Sequence, residues 1–160
     1  MTTIQQDDVI RSVADALQYI SFYHPVDYIE NLARAYELEQ SPAAKDAMAQ
    51  ILINSRMSAE GHRPMCQDTG IVTAFVKVGM QVQWAPSKKH GMMTMQQMID
   101  QGVREAWMNP DNVLRASVLA DPAFSRKNTR DNTPAMVVVE LVDGGGADIT
   151  VASKGGGSEA

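Results

Sequence analysis

The chain has one cysteine, Cys66, in 160 residues. That excludes an internal disulfide framework and fits a reducing compartment, so a cytoplasmic location is expected. Aromatic residues are scarce, at 6%. No apolar run approaches the ~18 residues of a membrane-spanning helix. An excess of positive charge is also missing: the formal net charge is −5 and the pI about 5.1, which argues against a nucleic-acid partner. The histidines His24, His62 and His90 lie far apart and show no metal-ligand spacing. The first eight residues are polar and acidic, unlike a secretory or mitochondrial signal. There is no internal repeat, and no βαβ alternation with a glycine-rich first turn, so a dinucleotide fold is not expected.

What is present reads as one ordinary domain over residues 1–160. Apolar residues make up 44% and charged residues 21% of the chain, near globular averages. The spacing of Ile4, Val9, Ile10, Val13, Leu17 and Ile20 predicts a helix over 4–22. A second helix follows His24-Pro25. A third opens at Ser41-Pro42, with Ser41 as N-cap, and is expected to stop at Gly61. The period then changes. Residues 71–78 are rich in β-branched and aromatic residues and predict a buried strand. Residues 81–91 fit a loop or a short paired strand, and 93–108 fit another helix. Val113 to Ala120 is compatible with either strand or helix. A long polar stretch over 121–134 is expected to be an ordered, functional loop. Residues 136–142 and 147–153 read as strands joined by Gly144-Gly145-Gly146 into an antiparallel hairpin. Helices first and strands afterwards, with one inserted helix, predict an α+β fold with a mostly antiparallel sheet.

The chemistry centres on Arg63-Pro64-Met65-Cys66-Gln67-Asp68-Thr69-Gly70. Pro64 excludes helix and Gly70 permits a sharp turn, so the Cys, the amide and the carboxylate fall on a loop aimed by the strand that follows. A lone cysteine is ordinarily a small buried hydrophobe, and Asp-Thr-Gly is a common turn. Asp-Thr-Gly is also the active-site triplet of aspartic proteases, in which two carboxylates pair across a dimer. The helices that precede it weigh against that nearly all-β class. Lys154-Gly155-Gly156-Gly157-Ser158 can form a backbone nest for a carboxylate or phosphate, or a flexible tail. Arg115, Arg126, Lys127 and Arg130 bracket the long loop; such clusters bind carboxylates, although most surface cations are simply solvated. From residue chemistry alone, an enzyme and a non-catalytic anion-binding module both stay open.

The octamer resembles the R-P-x-C-Q-D-T-G segment of the class I, iron–sulfur-dependent fumarases and the related tartrate dehydratases. Three further stretches resemble that family in the same order. Leu114-Arg115-Ala116-Ser117 is similar to its L-R-x-S. Residues 126–135 are similar to its R-K-N-T-G-D-N-T-P-A, departing at Arg130. The tail is similar to its K-G-G-G-S-E-N, departing at Ala160. The resemblance implies the N-terminal part of a larger hydro-lyase that reversibly hydrates fumarate to malate, or acts on tartrate in a similar way, as a homodimer in the parent. It implies that Cys66 is one of three cysteines holding a [4Fe–4S] cluster. It also implies that Gln67 and Asp68 contact a dicarboxylate, that Arg115 clamps a carboxylate, and that Gly157 offers a backbone contact. The other two cysteines and the base would lie beyond residue 160. The cluster is therefore expected to be absent from this piece alone, Cys66 to be a free, exposed thiol, and the glycine-rich tail to be poorly ordered.

Overall fold

The computed structural model describes residues 1–155. They fall into two compact units, one formed by residues 1–18 and 67–155 and the other by 19–66.

In the first unit the chain opens with β1 (Thr2–Gln5) and continues directly into α1 (Gln6–Phe22). Sequence periodicity places the helix start at residue 4. The first residues instead pair in parallel with β3 (Val82–Ala85), Thr2 opposite Val82 and Gln5 opposite Ala85. Such pairing across the chain leaves no local signature. Gln6, fully buried at the start of α1, donates from Nε2 to the Met93 carbonyl and accepts from the Met93 amide, at 2.7 and 2.9 Å.

The main sheet has the order β4-β2-β5, from β2 (Ile71–Gly79), β4 (Met136–Val142) and β5 (Ala147–Lys154). Alternation along β2 decides its central place: Val72, Ala74, Val76 and Val78 are buried, while Ile71 and Phe75 are exposed. The buried side belongs to the same core as Val9, Ile10, Val13 and Leu17 of α1. It also includes Met98, Ile99, Val103, Ala106 and Trp107 of α4 (Met95–Trp107). The two helices meet at Gly102, where a Cβ would come within 2.7 Å of Val13 Cγ1 and 2.9 Å of the Ile10 carbonyl oxygen. Thr94 and Gln97 form a capping box at the start of α4.

The α+β class holds, but the expected hairpin and mostly antiparallel sheet do not. β4 and β5 do not pair with each other. β2 lies between them, parallel to β4 and antiparallel to β5. Two inter-strand steps are about 9.6 Å, too far for a tight turn, and residues 143–146 form an arch that crosses the end of β2. The Gly79 amide donates to Gly146 O at 2.8 Å and the Gln81 amide to Gly144 O at 2.9 Å. A Cβ on Gly79 would collide with the Gly144 backbone. The triglycine serves a crossover here in place of the expected hairpin, and the sheet is mixed.

The second unit contains the end of α1, α2 (Val26–Leu38) and α3 (Pro42–Gly61). Ser41 caps α3 as its sequence predicts, accepting from the Ala44 amide at 3.5 Å, with Pro42 in the first turn. The left-handed residue that ends α3 is His62, at φ 47°, and not Gly61. Its ring stacks on Phe22, centroids 5.0 Å apart, and its Nε2 lies 3.4 Å from the Tyr23 hydroxyl. These contacts offset a left-handed cost of roughly 1 kcal/mol. Burial holds the His24 imidazole below its ordinary pKa, and its Nδ1 lies 3.0 Å from Ser55 Oγ.

Candidate functional site

Cys66 stands in a bend of the loop before the central strand, as its sequence setting predicts, and is exposed and in no disulfide. The residue before it is held on both sides. The Met65 amide donates to Ser21 O at 3.0 Å, and Asn54 Nδ2 donates to Met65 O at 2.9 Å. The thiol is thus presented by an anchored backbone rather than packed as a hydrophobe. Among the described residues no group of three His, Cys, Asp or Glu side chains could hold a metal ion. A [4Fe–4S] cluster needs several thiolates. Cys66 can supply one such ligand.

Downstream of Cys66 the chain enters the first unit, where the sequence motifs converge. Asp68 forms an Asx turn, its Oδ1 accepting from the Gly70 amide at 3.1 Å. Gly70 takes φ +77°, and a Cβ there would lie 2.6 Å from Ser153 Oγ and 2.7 Å from the Lys154 carbonyl carbon, so the turn requires glycine. The antiparallel register that sets Ile71 opposite Lys154 brings Ser153, Lys154 and Gly155 to the same place. The Ser153 hydroxyl donates to Thr69 O. A Cβ on Gly155 would lie 2.6 Å from Asp68 Oδ2. The Asp68 carboxylate is therefore packed against bare backbone. Gly157 lies outside the described residues, as do the other residues of 156–160.

Arg115 is brought in through its backbone. Its carbonyl accepts from the Thr69 hydroxyl and from Trp107 Nε1, the latter at 3.2 Å; the indole also reaches Thr69 Oγ1 at 3.2 Å. Asn132, fully buried, completes the knot. Its Oδ1 accepts from the Ser117 and Val118 amides at 2.7 and 3.3 Å, and its Nδ2 donates to Gly70 O at 2.9 Å. One side chain thus ties the Arg115 segment, the long loop and the start of β2 together. Trp107 and Asn132 were not singled out from sequence. Trp107 follows Val103 at helical spacing, which marks it as core but does not reveal where its N–H points. Asn132 sits in a polar run whose pattern carries no sign of burial.

The long loop is densely bonded. Asp121 accepts from the Phe124 and Ser125 amides at 3.2 and 3.0 Å. The Ser125 amide is the chief reason its carboxyl stays below the ordinary range. Asn128 Nδ2 donates to Ala116 O, and its Oδ1 accepts from the Arg130 amide, both at 2.7 Å. Asp131 accepts from the Thr133 amide and hydroxyl at 3.1 and 2.8 Å and from Arg104 Nε at 2.9 Å. Partial burial alone would raise the Asp131 pKa; those donors outweigh it and hold the carboxyl low. Between this loop and the Arg115 segment is a cavity of about 390 Å³ lined by Arg115, Ala116, Lys127, Asn128 and Arg130. It is cationic, and its arginines are suited to carboxylates.

Residues 10–160 match the family described as fumarate hydratase (Fumerase). The L(+)-tartrate dehydratase subunit alpha of Escherichia coli strain UTI89 is 30% identical over 145 residues, covering 91% of this chain and 46% of that protein. The corresponding subunit of Shigella sonnei is 29% identical with the same coverage. A putative L(+)-tartrate dehydratase subunit alpha of Methanocaldococcus jannaschii is 26% identical over 152 residues, 92% of this chain and 50% of that one. The chain spans about half the length of the curated relatives it matches. With the family match running through both the Cys66 loop and the cationic loop beside Arg115, the chain belongs to the fumarate hydratase (Fumerase) family.

Proposed function

We propose that this chain is the N-terminal part of a [4Fe–4S]-dependent hydro-lyase that reversibly hydrates fumarate to (S)-malate, a reaction of the tricarboxylic acid cycle, in the cytoplasm. The observation that supports this reading most is the convergence of Asp68, Thr69 and Gly70, the Arg115 segment, and Ser153 to Gly155 at one end of β2. Cys66 is one cluster ligand, and the others come from residues beyond this chain. Gln67 and Asp68 contact the substrate. Arg115 clamps one carboxylate, and Gly157 gives a backbone contact. The C-terminal half supplies the base for proton abstraction, and the parent is a homodimer. Among the described residues no helix is long and apolar enough to cross a membrane.

Tartrate dehydration is the second reading, favoured by the names of the relatives. The protease alternative is at odds with the helical content of the chain, since that class is nearly all-β. The deciding experiment expresses the full reading frame that contains this chain, reconstitutes it anaerobically, and follows hydration of fumarate beside dehydration of L(+)-tartrate. Turnover of fumarate that disappears, with the iron, in Cys66→Ser supports the proposal. A serine variant that keeps iron and turnover overturns it. Turnover of tartrate alone moves the assignment to the second reading.

A further inference from the structure

The cavity beside Arg115 holds more positive charge than one carboxylate clamp requires. Arg115, Lys127 and Arg130 all line it, together with Ala116 and Asn128, and among the described residues no acidic one does. That is notable in a chain of net charge −5. Arg130 is also held in a conformation unfavourable for its type. It takes φ +72°, a left-handed backbone that glycine adopts without steric cost. The Asn128 side chain secures it there by accepting from the Arg130 amide at 2.7 Å. A strained residue kept at a cavity wall by a dedicated bond motivates a functional hypothesis. Asn128 in turn is fixed to the Arg115 segment through Ala116 O. The two arginines are therefore coupled by one carboxamide, and their backbones keep a set separation.

We infer that Arg130, with Lys127, forms a second anion arm that receives the far carboxylate of a dicarboxylate whose near carboxylate is held by Arg115. This rests on the hydro-lyase reading above and deepens it: the discrimination between di- and monocarboxylic acids lies within this chain. Arginine presents a planar fork that pairs with both carboxylate oxygens, which Lys127 cannot do.

Titration calorimetry of the chain with (S)-malate, acetate and inorganic phosphate tests the inference. Wild type binds malate more tightly than acetate or phosphate. Arg130→Gly and Arg130→Gln each weaken malate about tenfold or more, the loss of one charge-assisted pair, and leave acetate unchanged. Arg130→Gly also raises the thermal midpoint, because it relieves the left-handed backbone, so weaker binding in that variant cannot be ascribed to misfolding. If wild type prefers malate and both variants retain that preference in full, the second arm is wrong while the dicarboxylate reading survives. If wild type binds malate no better than acetate, both fail for this chain. Phosphate bound as tightly as malate, and lost equally in the variants, makes the cavity a general anion site and overturns the inference.

Discussion

The inner side of β2 and the turn just before it are neighbours in sequence but are held in different ways. From Val72 onward the strand is fixed by area: Val72, Ala74 and Val76 are essentially inaccessible, as are Ile99, Val103 and Trp107 of α4. Before Ile71 the chain is fixed by direction. Thr69 and Gly70 are positioned by hydrogen bonds to Arg115, Asn132, Trp107 and Ser153. Burial energy is non-directional and spread over many atoms, so the core tolerates conservative exchange. The polar knot consists of single bonds with a required geometry, and it sets where Asp68 and the Arg115 segment stand. Stability and site geometry can therefore be damaged separately.

The largest effect is expected on the core side. Ile99→Ala removes a fully buried side chain of α4 and should cost about 2–5 kcal/mol. Denaturant titration measures it. Malate binding per folded molecule should stay the same, and a selective loss of binding at unchanged stability would contradict the separation.

Asn132→Ala tests the other side. It strands the Ser117 and Val118 amides and the Gly70 carbonyl, a cost of about 1–3 kcal/mol for buried groups left unpaired. The characteristic outcome is local. Amide exchange at Ser117 and Val118 should accelerate more than exchange within β2, and anion binding should weaken more than stability. Uniform acceleration through both regions would mean that knot and core form one cooperative unit. Asn132→Asp keeps the acceptors but loses the donor to Gly70, so it should not restore the wild type.

The same contrast explains what the sequence made legible. The core side follows local composition and period: the strand over 71–78 and the helix over 93–108 are both found, although burial of the strand is confined to one face. Local rules such as the Ser41 cap and the turn at Gly70 hold as well. Cys66, Asp68 and Arg115 stand out in the sequence through their short motifs, and the structure places Asp68 and the Arg115 backbone at the same end of β2. The parallel β1–β3 pair and the arch over β2 were not, because each joins residues that are distant in sequence or leaves open which strand pairs with which. Gly144-Gly145-Gly146 is compatible with either a hairpin or a crossover; the central burial of β2 decides. Asn132 and Trp107 escaped notice for a related reason. Their roles lie in where one amide and one indole N–H point, and no residue pattern encodes that before the fold exists.

The smallest effect concerns the outer rim of the knot. Asp131 bonds Thr133 and Arg104, and these donors hold its carboxyl below the ordinary carboxylate value against the opposing effect of burial. A carboxyl whose folded pKa is depressed binds its proton more readily in the unfolded chain. Its contribution is complete above the ordinary carboxylate pKa and is lost as pH falls through the lower, folded value. The Arg104 side chain is 42% exposed, so screening should limit the ion pair to about 0.2–1 kcal/mol. Stability of the wild type, measured by denaturant at a series of acidic pH values, should therefore fall more steeply than that of Asp131→Asn, and the two curves should converge at the acid end. Salt should narrow the gap between the variants at neutral pH, since a rim pair is screened whereas the apolar core is not. Parallel curves at every pH would assign Asp131 a purely geometric role through Thr133, and the rim would then belong with the directional bonds around Asn132 rather than with a titrating charge.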